Sequence, residues 1–125
     1  MEVKDLRIGN IIYLIEEKSE LIVKDIILDD EFKELGYYIG LDDGYRYDEK
    51  MVKGIPLTED LLLKVGAFPE GNGMIIERFK LIYKPGYKYW YIIDDLSKTY
   101  LTKIIYLHEL QNFYYSMQTK ELTIK

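Results

Sequence analysis

Residues 105–125 read I-Y-L-H-E-L-Q-N-F-Y-Y-S-M-Q-T-K-E-L-T-I-K. Leu107, Leu110, Tyr114 and Met117 recur at steps of three, four and three, which places them on one face of an α-helix. Phe113 widens that stripe, while Glu109, Gln111, Asn112 and Ser116 lie away from it. The spacing predicts a helix over 106–118. Beyond it, Leu122 and Ile124 alternate with Thr123 and Lys125, a period of two that predicts a short closing strand.

Upstream of this helix the chain reads as short strands broken by turns. Ile11-Ile12-Tyr13-Leu14-Ile15 is an apolar, β-branched run after Gly9-Asn10. Leu21-Ile22-Val23 and Ile26-Ile27-Leu28 form another run, with residues 16–20 as the polar loop between strands. Tyr37-Tyr38-Ile39 lies between Gly36 and Gly40. Asp43-Gly44 is a short hairpin signal, so residues 46–52 are expected to return as a strand. A second helix is expected at about 58–66. Thr58 is its N-cap, Glu59 and Asp60 put negative charge in its first turn, and Gly66 suits the left-handed residue that ends it. Residues 70–73, Glu-Gly-Asn-Gly, read as a mobile loop. Strands are expected over 74–83, 87–93 and 99–105, with turns at Pro85-Gly86 and at 94–98.

The sum is an α+β fold, a mainly antiparallel sheet of short strands with two helices. A chain of 125 residues suits one domain, here residues 1–125, able to hide roughly two-thirds of its unfolded surface. No window approaches the roughly 18 apolar residues of a membrane span, so no membrane association is expected. Met1-Glu2-Val3-Lys4-Asp5 lacks the basic-then-apolar order of a signal peptide, and the expected location is the cytoplasm. With no cysteine, disulfides, thiolate metal sites and cysteine nucleophiles are excluded. A net charge of −5 argues against generic DNA binding, which needs a positive surface. Tyrosine is the compositional outlier, with 13 of 125 residues, and it suits half-buried sheets and interfaces alike.

Catalytic constellations are missing. The single histidine, His108, is read as a helix-surface or second-layer polar residue; it is eight residues from Ser116, about 12 Å along a helix axis. Carboxylates cluster at Asp29-Asp30-Glu31, Asp42-Asp43, Asp48-Glu49 and Asp94-Asp95, without the alternating ligands of a calcium loop. Acidic pairs beside glycine are ordinary turn chemistry. Gly71-Asn72-Gly73 lacks the helix and lysine of a phosphate-binding loop. No metal and no cofactor is expected.

One positive feature remains, the hairpin 78–91. Alternation over residues 77–84 would put Arg78, Lys80, Ile82 and Lys84 on one face and Phe79, Leu81 and Tyr83 on the other. The partner strand Tyr87-Lys88-Tyr89-Trp90-Tyr91 adds either its tyrosines or Lys88 and Trp90 to the basic face, depending on loop parity. A loop of three to five residues is expected around Pro85-Gly86. Either way cationic and aromatic groups stand side by side.

Three segments together resemble a family of small uncharacterised proteins from Bacteroidetes genomes, phages and mobile elements. They are Asp5-Leu6-Arg7-Ile8-Gly9-Asn10, then residues 55–66 (I-P-L-T-E-D-L-L-L-K-V-G), then residues 106–114 (Y-L-H-E-L-Q-N-F-Y) running on to Lys120-Glu121-Leu122. Thr119 departs from the pattern, where that family has a glycine at the end of the last helix. The resemblance implies a bacterial or phage cytoplasmic source and no particular activity.

The leading expectation is a small non-enzymatic module that binds another protein through Arg78, Lys80, Lys84, Tyr87, Lys88, Tyr89, Trp90 and Tyr91. A single-stranded nucleic acid or nucleotide binder using the same hairpin is one alternative. A small enzyme with a dispersed carboxylate and tyrosine site is another.

Overall fold

A computed structural model describes residues 5–28 and 37–124. The chain forms two compact units, residues 1–55 and 56–125. Each builds a five-stranded antiparallel sheet, and two helices complete the expected α+β class.

In the first unit, β1 (Ile11–Leu14) and β2 (Ser19–Leu28) form a hairpin with Leu14 opposite Ser19. Ile12 and Leu14 point inward, as the alternation requires. The two apolar runs read at 21–23 and 26–28 are one strand, bent by a register shift between Val23 and Asp25. β3 (Tyr37–Leu41) follows and turns through Asp42-Asp43-Gly44, with Gly44 at φ 88°. The return strand expected over 46–52 is interrupted. β4 (Arg46–Asp48) gives way to a 3-10 turn at Glu49–Met51, because the Asp48 carboxylate caps the Lys50 N–H at 2.9 Å. β5 (Val52–Lys53) then pairs with β1, giving the order β4-β3-β2-β1-β5. Leu6, Ile12, Leu14, Val23, Ile39, Leu41 and Val52 form the core of this unit.

The second unit opens with α1 (Glu59–Lys64). The Thr58 hydroxyl accepts from Leu61 N–H, and the helix ends in a Schellman motif. Gly66, at φ 93°, donates to Leu63, and Ala67 donates to Leu62. The sheet is a plain meander, β10-β9-β8-β7-β6. The run expected to be one strand over 74–83 is two, β7 (Gly73–Ile76) and β8 (Phe79–Lys84), folded at Glu77-Arg78. The residues read as a mobile loop at 70–73 instead form a tight hairpin, with Glu70 ending β6 (Phe68–Glu70), Gly73 opening β7 and only Gly71-Asn72 in the turn. Gly71, at φ 59°, supplies the positive angle such a turn needs.

β9 (Tyr89–Asp94) and β10 (Thr99–Ile104) complete the sheet, and α2 (Leu107–Gln118) follows. The Glu109 carboxylate accepts from the N–H groups of Ile105 and Tyr106, both at 3.0 Å, and fixes the start of α2. Thr119 ends the helix at φ 55° without the help of glycine. Phe113 meets Phe79 edge to face at 5.0 Å, so α2 lies on the face of the sheet that carries Phe79, Leu81 and Ile92. The buried stripe runs through Leu107, Leu110, Gln111 and Tyr114, while Met117 is exposed. Residues 119–124 form no strand, although Leu122 is buried. Among the described residues, no helix is long and apolar enough to cross a membrane.

Candidate functional site

Register decides the hairpin 78–91. Lys84 faces Tyr89, Ile82 faces Tyr91 and Lys80 faces Ile93, so four residues, 85–88, form the loop. That parity puts the tyrosines, not Lys88 and Trp90, beside the lysines. Trp90 pairs with Tyr83 on the other face, where it is buried and its Nε1–H donates to the Leu57 carbonyl at 3.0 Å. Trp90 is therefore a core residue rather than part of the basic surface. Lys88 is exposed at the fourth loop position, with φ 57°, and Tyr87 stands next to it.

Arg78 also leaves the expected face. It sits in the turn between β7 and β8, and its Nε donates to Asp94 Oδ2 at 3.0 Å, with a second guanidinium nitrogen on the same oxygen. This pairing, with N–H donors from Leu96 and Ser97, holds the Asp94 carboxyl below the usual carboxylate range. Lys80 starts on the expected face but lies over Gly73, where a Cβ would come 3.2 Å from Lys80 Cε. Its ammonium reaches the β6–β7 turn at Gly71 instead of the tyrosines.

What assembles on β8–β10 is a ladder of rings. Centroids are 5.6 Å apart for Tyr87 and Tyr89, 5.0 Å for Tyr89 and Tyr91, and 5.7 Å for Tyr91 and Tyr100. The last two pairs meet nearly edge to face, at 84° and 77°. Lys84 Nζ lies 5.4 Å from the Tyr91 ring and Lys103 Nζ 5.0 Å from the Tyr89 ring, both within cation–π range. The hydroxyls of Tyr89 and Tyr91 share a hydrogen bond of 2.8 Å. That bond, then desolvation and the neighbouring phenols, pushes Tyr89 up to about 12.

Tyr100 and Lys103 were missed by reading the sequence, for a clear reason. Three positions apart in a regular strand, they would face opposite sides. A register shift between Tyr100 and Thr102 returns both to one face, with Tyr100 opposite Ile93 and Lys103 opposite Tyr91.

The acidic clusters are taken up locally. Asp43 accepts from Tyr45 N–H and from the Tyr47 hydroxyl, Asp42 accepts from Ile22 N–H, and Asp95 pairs with Lys98. Asp29, Asp30 and Glu31 lie outside the described residues, as does Gly36. Among the described residues, no three acidic or histidine side chains gather as metal ligands. His108 is not at the helix surface: it is 1% exposed and stacked on Tyr106 at 5.5 Å. No protein-family model, curated protein or solved structure matches the chain.

Proposed function

We propose that the chain is a non-enzymatic interaction module that docks an acidic segment of a partner protein on the tyrosine–lysine face of β8–β10. The observation that carries this reading is the continuous ladder Tyr87-Tyr89-Tyr91-Tyr100, flanked by Lys84 and Lys103. The outward positions of these three strands hold lysine, tyrosine and isoleucine, and no carboxylate. Tyrosine supplies large contact area at low conformational cost, and a partner carboxylate can take up a lysine already held over a ring. Lysine stems covering solvated tyrosines would account for Lys84 and Lys103. They would not account for Tyr87, which is 73% exposed at the tip of the ladder.

The ring geometry favours protein over single-stranded nucleic acid. Base stacking needs free ring faces. Here Tyr89, Tyr91 and Tyr100 pack edge to face and lysines occupy faces of Tyr89 and Tyr91, which leaves Tyr87 as the one exposed ring of the ladder without such a contact. The net charge of −5 opposes a polyphosphate at long range.

A photo-crosslinking residue at Tyr87, in the full chain expressed in a bacterial host, tests the reading. A discrete protein adduct is expected, lost when Lys84→Glu and Lys103→Glu are added together while the melting temperature holds. Adducts that vanish on nuclease treatment would establish the nucleic acid reading instead. An adduct retained by the folded double variant would remove this face.

A further inference from the structure

The other face of the same sheet carries a separate feature. A pocket of about 260 Å³, open to solvent, is lined by Glu59, Pro69, Asn72, Met74, Tyr83 and Trp90, together with Gly71 and Gly73. Tyr83 and Trp90, opposite each other in register, form a wall with centroids 5.0 Å apart and planes at 45°. We propose that this pocket takes a guanidinium group, from a partner's arginine side chain or from a free small cation.

The chemistry of the lining selects that ligand. Glu59 is the one formally charged residue among those lining the pocket, and it is exposed and able to accept two parallel N–H bonds. The indole N–H of Trp90 is already used on Leu57, so the tryptophan offers ring surface rather than a donor. A planar, weakly hydrated guanidinium can stack on Tyr83 while pairing with Glu59; a compact ammonium would keep its water. Residues 56–125 carry 8 acidic and 9 basic side chains, so the attraction for a cation rests on Glu59 itself. Lys80 works against the ligand. Its ammonium stands 3.4 Å from where a Cβ of Gly71 would lie, approaching from the tyrosine face. The site therefore has one charge that attracts a cation and one that repels it, and both can be changed.

The chain has a single tryptophan, so its fluorescence reports on this pocket directly. The full chain would be titrated with N-methylguanidinium chloride and with a Gly-Arg-Gly peptide amide, at matched ionic strength. A saturable change is expected with a millimolar Kd. Glu59→Gln should weaken it about fivefold, the upper end for an exposed ion pair, and Lys80→Met should tighten it about twofold. Tyr83→Leu should weaken both ligands. Tighter binding of the peptide identifies a partner's arginine as the source, and equal binding identifies a small cation. Three results would each overturn the proposal: no saturable change, equal binding by Glu59→Gln, or the same change with uncharged methyl glucoside.

Discussion

Residues 1–55 and 56–125 each fold into five antiparallel strands, and they reuse one turn to do it. Four residues link β1 to β2, β8 to β9 and β9 to β10, and in each link the fourth is a lysine with positive φ: Lys18 at 51°, Lys88 at 57° and Lys98 at 58°. The surfaces differ. Residues 1–55 carry 14 acidic and 8 basic side chains, whereas residues 56–125 carry 8 acidic and 9 basic. The first sheet gathers its core from its strands and Leu6, with Met51 of the 3-10 turn partly buried against it. The second has helix α2 on one face, which leaves the tyrosine face open on the other. Both α-helices fall in residues 56–125, and residues 1–55 hold none among the described residues; that is the difference between the two units.

The largest effect should come from removing that cover. Leu110 of α2 is 1% exposed, and Leu110→Ala should cost roughly 2–5 kcal/mol in urea unfolding. A loss below roughly 0.5 kcal/mol, the surface range, would mean that the helix does not seal the sheet.

A smaller effect distinguishes the Arg78–Asp94 closure of the second sheet. The folded pKa of Asp94 lies below its ordinary value, so its contribution is present above the ordinary carboxylate range and lost as pH falls through the folded pKa. Asp94→Asn should therefore be less stable than the parent at pH 7, with the gap closing in acid below about pH 4. A gap that is constant with pH would assign the loss to the turn's backbone bonds rather than to charge.

The shared turn gives a comparison in which the units should agree. A non-glycine residue in the left-handed region costs roughly 1–2 kcal/mol, and glycine returns part of that as chain entropy. Lys18→Gly and Lys88→Gly should each stabilise by about 0.5–1 kcal/mol. Loss of stability in either variant would show that its lysine side chain contributes to packing.

These turns also mark how far the sequence could be read. Period two and period 3.6 place β1, β9 and α2, and Thr58 with Gly66 brackets α1 as expected. Parity is what fails. Glu77-Arg78 contains no glycine, proline or asparagine, yet it reverses the chain and carries Arg78 off the lysine face. A single bulge near Leu101 brings Tyr100 and Lys103 onto it. The loop at 85–88 sends Trp90 inward and Tyr89 outward. Each decides which side chains share a face in a pattern of period two. Composition therefore located the aromatic and cationic region, while the membership of its face depended on turns that composition does not encode.

The smallest effect concerns two tyrosines, one in each sheet, both pushed up to about 12. Their causes differ. Tyr47 donates to the Asp43 carboxylate at 2.6 Å, so its proton is held by a charge. Tyr89 is held first by the hydroxyl of Tyr91, a neutral group, within the ladder. Deprotonation of either phenol leaves a negative oxygen beside an oxygen that was accepting or sharing its proton. Asp43→Asn should lower Tyr47, and Tyr91→Phe should lower Tyr89, each toward the ordinary 10. Phenol carbon shifts followed by NMR through the alkaline range would resolve the two residues. Tyr91→Phe keeps the ring and so should leave the melting temperature almost unchanged. If Tyr89 stays at its raised value in that variant, the hydroxyl pair is not what organises the ladder, and desolvation by the packed rings takes its place.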